Sequence, residues 1–252
     1  MSPASHVHRR NLLKGAAVVA GGVALGLPRP ALAQDAPPVH DRAAWGARPP
    51  KSAAEVLDRA PDHVVVHHTA SPNTADYSLE HAFALSRSIQ SHHMDTNGWA
   101  DTGQQLTISR GGFLMEGRNR SLRAIGAGDH VVGAHVANEN SHLVGIENEG
   151  LYMTEGPTDA LWARLVETCA WLCGTYGLDP RVRIVGHRDY NNTACPGDRL
   201  YAMLPQLRDE VAGRLGLAPA RRMPEPRVPS GLPGPRFRFD HGPVLGRGER
   251  RP

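Results

Sequence analysis

The sequence predicts an α/β (α+β) fold, in which a central mixed β-sheet is flanked by helices within a single domain. Three short runs rich in apolar and β-branched residues, at 64–66, 144–149 and 182–185, predict buried strands. Longer segments around these runs carry apolar side chains at helical spacing. Strands that alternate with helices favour a mixed sheet covered by helices.

The N-terminal 33 residues predict a twin-arginine signal peptide. The segment from His8 to Lys14 resembles the twin-arginine consensus, an apolar run follows from Gly15 to Leu27, and Ala31-Leu32-Ala33 fits a cleavage site. An uncleaved N-terminal membrane anchor is the alternative. The first interpretation implies twin-arginine export of a folded bacterial protein that is secreted or held in the cell wall or periplasm.

Residues 34–40 form a Pro-containing lead-in to a domain that is predicted to cover residues 41–217. The strand at 64–66 delivers His67 to one edge of the sheet. The next segment predicts a helix that begins after an N-cap at Ser78 and runs to about Met94.

A hairpin and two further helices complete the predicted domain. An Arg-Gly-Gly turn at 110–112 lies between two short strand-like runs, which is typical of a hairpin. The following helix has Thr158 or Asp159 as its N-cap and ends at Gly177. A last amphipathic helix is predicted over residues 198–215.

Formal charge is concentrated at the two ends of the chain. Residues 1–33 carry +4 and residues 219–252 carry +5, so the total of +3 leaves −6 for residues 34–218. Nucleic-acid binding is not expected, because it requires a basic patch on the folded domain. The mature chain also lacks a stretch of roughly 18 consecutive apolar residues, so no transmembrane segment is expected there.

The C-terminal segment, residues 218–252, predicts a disordered tail. Its last 34 residues contain eight Pro, five Gly and eight Arg. Nonspecific attraction to anionic wall polymers is one role that such a tail can have, and a solvated linker without a partner is the alternative.

The three cysteines fall into two groups. Cys169 and Cys173 lie one helical turn apart on an apolar stripe and are expected to be buried and reduced, since this spacing within a helix suits a disulfide poorly. Cys195 lies on a polar loop, where metal ligation accounts for it better than a reactive free thiol.

Cys195 has two histidine partners that predict a metal site. His187 lies eight residues before it on an Asn-rich loop, and His67 lies far upstream at the end of a strand. Two imidazoles and a thiolate leave a fourth position open, as in a catalytic zinc site. The alternative is a pair of hydrogen-bonded histidines and an unused thiol.

Six short motifs occur in an order that resembles the peptidoglycan recognition protein and type 2 N-acetylmuramoyl-L-alanine amidase family. The resemblance covers about Arg42 to Tyr201. The motifs are HHTA from His67, GWADTG from Gly98, EGR from Glu116, GAH from Gly133, GIENEG from Gly145 and GHRDYNNTACPGDRLY from Gly186.

The resemblance implies Zn²⁺ bound by His67, His187 and Cys195. It selects His67 over His68, and neighbouring side chains in a strand point to opposite faces in any case. Zinc can polarise the carbonyl of the amide between N-acetylmuramic acid and L-alanine and acidify a bound water that serves as the nucleophile. Peptidoglycan or muropeptides are then the expected partners, and the oligomeric state stays open.

The resemblance also suggests residues for proton transfer and substrate contact. Glu147 in GIENEG is expected to be the general base and acid, because the like charge of Glu149 two residues on should raise the pKa of one of the two carboxyl groups. A solvent-facing strand edge with ordinary solvated acids is the alternative. Thr193 is expected to donate to the developing oxyanion, with loop packing as the alternative. His135 is expected to contact substrate or line the groove, with a satisfied structural histidine as the alternative. Glu149 is expected either to contact substrate or to support the residues that do. Gln104 occupies a substrate-facing position where many members of the family have a Tyr, and it cannot replace that Tyr as a base.

Several other side chains are assigned structural roles. Trp45 and Trp99 are expected in the core, whereas the remaining histidines considered, His92, His93, His130 and His142, are expected to be structural or on the surface.

The leading hypothesis is a secreted zinc-dependent N-acetylmuramoyl-L-alanine amidase. A non-catalytic peptidoglycan-binding module is the main alternative: the complete ligand set argues against it, and Gln104 argues for it. An amidase that acts on another amide or on a soluble muropeptide is a third hypothesis.

Overall fold

The computed structural model describes residues 34–218, 231–235 and 238–239. The predicted signal peptide and most of the predicted tail therefore lie outside the described residues. The elements are β1 (Val39–His40), β2 (Val56–Leu57), β3 (His63–His68), α1 (Leu79–Ser91), β4 (Leu106–Ile108), β5 (Leu114–Glu116), α2 (Ser121–Ala127), β6 (His130–Val131), β7 (Leu143–Asn148), α3 (Asp159–Tyr176), α4 (Pro180–Arg183), β8 (Ile184–Gly186), α5 (Asp198–Ala202) and α6 (Leu204–Arg214).

A six-stranded sheet with the order β1-β5-β4-β7-β3-β8 forms the centre of the domain. The β4–β5 pair is antiparallel, and the other four pairs in this sheet are parallel. The predicted mixed sheet flanked by helices is confirmed. A separate antiparallel pair joins β2 to β6.

One face of the central sheet carries the main hydrophobic core. Alternate residues of each strand point to the same face, so β3 directs Val64 and Val66 to this side. They pack with Leu165 of α3 and Leu207 of α6, all of them fully buried. The β-branched runs of the sequence therefore form the floor of a helix-covered core.

The opposite face of the sheet carries the polar side chains that matter for function. His67 of β3, Glu147 of β7 and Thr107 of β4 are in register across three adjacent strands. Neighbours in register point to the same face, so these three side chains form one row. Beside this row, Trp45, Ala82 of α1 and Met115 of β5 form a small buried cluster.

Several predicted elements agree closely with the structure. Helix α3 has Thr158 as its N-cap, with the Oγ1 atom accepting from the Leu161 N–H, and it ends at a left-handed Gly177. The hairpin is the β4–β5 pair. Cys169 and Cys173 are buried and free, and burial raises the pKa of Cys173 to about 12.

Some predicted boundaries are wrong. The run at 182–185 is not a continuous strand, because Pro180 and the capping side chain of Asp179 start the helical turn α4, and β8 begins only at Ile184. The last helix is interrupted at Met203 and resumes as α6.

The first predicted helix also changes character before its predicted end. Helix α1 spans Leu79–Ser91, and the following turn, His92–Thr96, has π-helical hydrogen bonding.

Two short pieces of the C-terminal segment pack against the domain. The carbonyl of Pro233 accepts a hydrogen bond of 2.8 Å from the Ala194 N–H, and the Phe239 N–H donates to the Thr69 carbonyl at 3.0 Å. The Phe239 ring is 7% exposed and packs on Leu85 and Ile89 of α1. For these residues the prediction of disorder is corrected, because two backbone hydrogen bonds and a buried ring fix them.

Candidate metal and active site

Three side chains with metal-binding atoms converge at the carboxyl end of the sheet. The nearest ligand atoms of His67, His187 and Cys195 all lie within 4.8 Å of one another, and all three residues are buried. The sequence predicted this set, and the structure brings its members together.

Sheet topology accounts for the meeting of the two histidines. Strands β3 and β8 are parallel neighbours, with Val66 opposite Gly186. His67 follows the first of these residues and His187 follows the second, so both reach the same edge. Their ring centroids are 4.6 Å apart.

The loop after β8 brings Cys195 back to the histidines. The Arg188 N–H donates to the Cys195 carbonyl at 3.0 Å, and the Cys195 N–H donates to Thr193 Oγ1 at 3.1 Å. The thiol sulfur lies 3.6 Å from His67 Nδ1 and accepts a 3.4 Å contact from the His68 N–H. Burial raises the pKa of the Cys195 thiol well above its ordinary value, and the charge of Glu147 adds to this shift.

Hydrogen bonding selects which nitrogen of His67 faces the thiol. His135 Nε2 is 3.1 Å from the Leu143 carbonyl, which can only accept, and His135 Nδ1 is 2.9 Å from His67 Nε2. With neutral rings, His135 carries its proton on Nε2, so His67 must also carry its proton on Nε2. The Nδ1 lone pair of His67 is thereby directed at Cys195.

Asn191 selects the same nitrogen in His187. His187 Nε2 lies 3.0 Å from the Asn191 Oδ1, which also accepts from the Ala137 N–H at 3.0 Å. The Asn191 amide NH₂ contacts the Ala137 carbonyl at 3.4 Å, which fixes the orientation of the amide. An amide oxygen cannot donate, so His187 Nε2 carries the proton and Nδ1 is the ligand atom.

The residues present fit a metal ion. Two Nδ1 lone pairs and a thiol sulfur converge on one buried point, which is a mixed N/N/S donor set. His68 lies behind this point: it is fully buried, and the Tyr152 N–H lies 3.4 Å from its Nδ1. Burial, with smaller contributions from Arg188 and His187, lowers the pKa of His68 to about 3, so its ring is neutral.

Glu147 lies next to the donor set. Its residue is 1% exposed, and it is the register neighbour of His67 across the β3–β7 pair. Burial raises the pKa of Glu147 to about 8 in the metal-free chain. A carboxyl group that titrates near neutrality is suited to proton transfer.

The predicted cause of this pKa shift is wrong. Glu149 does not contribute to it, because the Glu149 carboxylate lies beyond the end of β7 and is engaged elsewhere. One carboxylate oxygen is 2.5 Å from His81 Nε2, and the other accepts from the Arg110 N–H at 2.7 Å. Glu149 is 2% exposed, so these contacts tie α1 to the end of the sheet.

Gln104 and Thr193 are both buried beside the site. Gln104 is 1% exposed and its Nε2 donates to Thr107 Oγ1 at 2.9 Å, which places it against the row that contains Glu147. Thr193 is 3% exposed, and its hydroxyl oxygen holds the Cys195 N–H. Their roles in contacting substrate and the oxyanion stay predictions.

His135 has the buried, hydrogen-bonded surroundings of a structural histidine, which was the alternative to its predicted contact with substrate. The residue is 3% exposed and its two ring nitrogens contact His67 and the Leu143 carbonyl. Asn191 and Asn140 were not singled out from the sequence. The Asn140 Oδ1 accepts from the backbone N–H groups of His135 and Val136. The Asn-rich loop and the GAH motif were the available signals.

A comparison with protein families identifies the family to which the chain belongs. Residues 57–198 match the model of the family described as N-acetylmuramoyl-L-alanine amidase. The chain belongs to this family. A second match covers residues 6–26 and identifies a twin-arginine translocation signal sequence, so the chain is exported by that pathway.

Curated relatives are similar to this chain over part of their length. The human N-acetylmuramoyl-L-alanine amidase is 34% identical over 171 residues, which cover 67% of this chain and 28% of the human protein. Peptidoglycan-recognition protein LB of Drosophila melanogaster is 33% identical over 161 residues, or 64% of this chain and 65% of that protein. The matches thus span less than two thirds of these relatives.

Solved structures of peptidoglycan recognition proteins share the fold. Wild-type Drosophila PGRP-LB has a TM-score of 0.58 and 28% identity, with 74% of this chain and 99% of that chain covered. Peptidoglycan recognition protein LE in complex with tracheal cytotoxin, a monomeric diaminopimelic acid-type peptidoglycan, also has a TM-score of 0.58, at 26% identity over 67% of this chain and 92% of that one.

Within the described ranges, none of the helices combines the length and apolarity needed to cross a membrane.

Proposed function

We propose that the exported protein is a zinc-dependent N-acetylmuramoyl-L-alanine amidase that hydrolyses the amide between N-acetylmuramic acid and L-alanine in peptidoglycan. The observation that carries this proposal is the convergence of His67, His187 and Cys195 within 4.8 Å, with Glu147 in register beside His67. The names of the family and of the human relative support the reaction class.

His67 and His187 would hold the ion through Nδ1, and Cys195 through its thiolate. When bound, zinc supplies polarisation of the scissile carbonyl and acidification of water at the site. Zinc is favoured over Mg²⁺ or Ca²⁺ because the donor set contains nitrogen and sulfur.

Glu147 would carry the proton from water to the leaving amine. It is buried next to His67, where its pKa of about 8 lets it hold a proton at neutral pH. A cation nearby favours the ionised carboxylate, so Glu147 would titrate lower in the metal-loaded chain and accept the proton first. Thr193, on the loop that holds Cys195, is the proposed donor to the oxyanion.

Peptidoglycan binding without cleavage is the second candidate function. The observation that favours it is Gln104, which stands where many family members have a Tyr and cannot act as a base. The structures of relatives in complex with tracheal cytotoxin show that the shared fold is also used for recognition.

The test uses residues 34–252 with measured metal content, assayed on purified peptidoglycan for new N-terminal alanine. We expect about one zinc per chain, and the release of stem peptides with a free N-terminal alanine, in the parent. Cys195→Ser should lose both metal and release, whereas Glu147→Gln should keep zinc and lose roughly 10²- to 10⁴-fold in rate. Glu155→Gln, at an exposed carboxylate, is the control.

The same experiment separates the two candidates. Tight peptidoglycan binding by a zinc-loaded parent that releases no alanine would contradict the amidase and identify a recognition module. Full activity in Glu147→Gln would contradict the assigned proton carrier.

A further inference from the structure

The imidazole ring of His135 occupies a narrow space that only residues without a side chain leave open. It lies between two glycines, Gly133 and Gly145. A Cβ atom on Gly133 would come within 2.5 Å of the His135 ring, and one on Gly145 within 2.7 Å of it. Distances below about 3 Å do not occur for real Cβ atoms, so only glycine admits the ring at either position.

The backbone of His135 is fixed as firmly as its ring. Asn140 Oδ1 accepts from the His135 N–H at 2.7 Å and from the Val136 N–H at 3.0 Å. At the far side of the ring, the Leu143 carbonyl lies 3.1 Å from Nε2. The ring therefore presents one nitrogen, Nδ1, to His67 in a defined direction.

We propose that His135 is a positioning residue, which holds His67 in the tautomer and orientation that present Nδ1 to the metal. The chain of hydrogen bonds runs from His67 Nε2–H to His135 Nδ1, and from His135 Nε2–H to the Leu143 carbonyl. It ends on a carbonyl, which accepts only, so the direction of every proton in the chain is set. Partners of this kind orient metal ligands and raise their basicity.

Asn191, on the loop after β8, does the same for His187 and is itself held by the segment that contains His135. Its amide is held by both backbone groups of Ala137, two residues after His135. The turn from Gly133 to Leu143 thus orients both ligand histidines, one through a side chain and one through a bridging amide. This inference rests on the proposed metal-dependent function only for the identity of the ion.

The first test reads the tautomers directly in the metal-free protein. Nitrogen-15 NMR of the imidazoles at mildly alkaline pH, where the rings are neutral, distinguishes protonated from bare ring nitrogens. We expect a proton on Nε2 of His67, His135 and His187, and bare Nδ1 atoms. A proton on Nδ1 of His67 overturns the proposal, whatever the protein binds or cleaves.

The second test measures zinc affinity by competition with a chromophoric chelator. His135→Leu removes the acceptor and should weaken zinc binding about 10- to 100-fold. His135→Asn, which places an amide oxygen near the former Nδ1, should restore most of the affinity. His93→Leu is the control, because His93 is equally buried and bonded to a backbone N–H but lies outside the chain of hydrogen bonds to His67.

The outcomes separate this proposal from the proposed function. Unchanged zinc affinity in His135→Leu overturns the positioning role. Equal losses in His135→Leu, His135→Asn and His93→Leu also overturn it, since they would indicate a general loss of stability. A parent that has the expected tautomers but binds no zinc would contradict the metal-dependent amidase and leave the hydrogen-bonded pair established.

Discussion

Burial alone sets the protonation of the Glu147 carboxyl. The side chain is buried beside His67 on the face of the sheet opposite the main core. Its removal from water raises its pKa from 4.5 to about 8. The folded state keeps this proton up to a higher pH than the unfolded state does. The contribution of the protonated carboxyl to the free energy of unfolding is therefore fully present below about pH 4.5 and is lost as the pH rises toward 8.

This shift predicts the pH dependence of stability in the metal-free protein. The contribution of Glu147 to the free energy of unfolding should decrease by up to about 1.4 kcal/mol per pH unit between the two pKa values. Urea unfolding at several pH values measures it. Glu147→Gln should remove this dependence and Glu155→Gln should keep it. Parallel curves for the parent and Glu147→Gln would contradict a raised pKa.

A second prediction at this scale concerns Gly145. In Gly145→Ala the new Cβ would meet the His135 ring at 2.7 to 2.9 Å, so the ring must move away from His67. We expect weaker zinc binding, by roughly 10-fold or more, as for loss of a metal ligand's hydrogen-bond partner. Chelator competition is the measurement.

Gly213→Ala is the matched control for Gly145→Ala. Gly213 lies in α6, and a Cβ there has nothing within 4 Å. Alanine favours a helix over glycine by up to about 1 kcal/mol, so this variant should be as stable as the parent or more stable. Equal zinc affinity in the parent and Gly145→Ala would show that zinc binding does not depend on the position of the His135 ring.

At the scale of elements, the order of the strands determines the site. Strands β7, β3 and β8 are parallel neighbours, so their carboxyl ends bring Glu147, His67 and His187 to one edge. The helices on the other face provide the buried apolar area that stabilises this arrangement. Helix α3, with nine buried residues, is the largest contributor among them.

The N-cap of α3 is a testable part of that support. Thr158 Oγ1 accepts from the Leu161 N–H at 3.2 Å and donates to the Arg110 carbonyl at 2.6 Å, so it joins the helix to the β4–β5 hairpin. Thr158→Ala should lower the free energy of unfolding by about 1 to 2 kcal/mol. Thr158→Ser keeps the hydroxyl and should recover most of it in urea unfolding. Equal losses in both variants would assign the effect to the methyl group.

At the scale of the whole molecule, the C-terminal segment contacts the domain close to the metal donors. The Pro233 carbonyl accepts a hydrogen bond from the N–H of Ala194, which precedes Cys195. The Phe239 N–H donates to the carbonyl of Thr69, which lies two residues after His67. The exposed Arg238 stacks over the Phe239 ring, with its guanidinium carbon 4.7 Å from the ring centroid. These contacts hold the described residues 231–235 and 238–239, which include the charge of Arg238, near the candidate site.

The buried ring of Phe239 predicts protection of this segment. Trypsin can cut after Arg238 only when the adjoining residues detach, so Phe239→Ala should be cut faster, by roughly tenfold for each 1.4 kcal/mol of docking free energy lost. Pro233→Ala is the control, because its exposed ring is removed while the carbonyl that accepts from Ala194 stays. If trypsin cuts after Arg238 at equal rates in the parent and in Phe239→Ala, the ring of Phe239 does not hold this segment against the domain.

The sequence by itself determined the fold class, the three candidate metal donors and the twin-arginine signal. Apolar periodicity is a local property, so it identified strand β3 and helix α3. The sequence left Thr158 and Asp159 as alternative N-caps of α3, and the structure selected Thr158. The residue types His, His and Cys favour metal binding as the chemistry that the three could share. The order of the motifs indicated the family, and the family match confirms it.

Only the tertiary structure decided what surrounds those donors. The contacts of His135 with His67, of Asn191 with His187 and of Glu149 with His81 join residues from separate elements or from one folded-back loop. The pKa of Glu147 depends on burial rather than on its neighbour in sequence. Such effects arise from distances in space and from exclusion of water, which the order of residues along the chain does not specify.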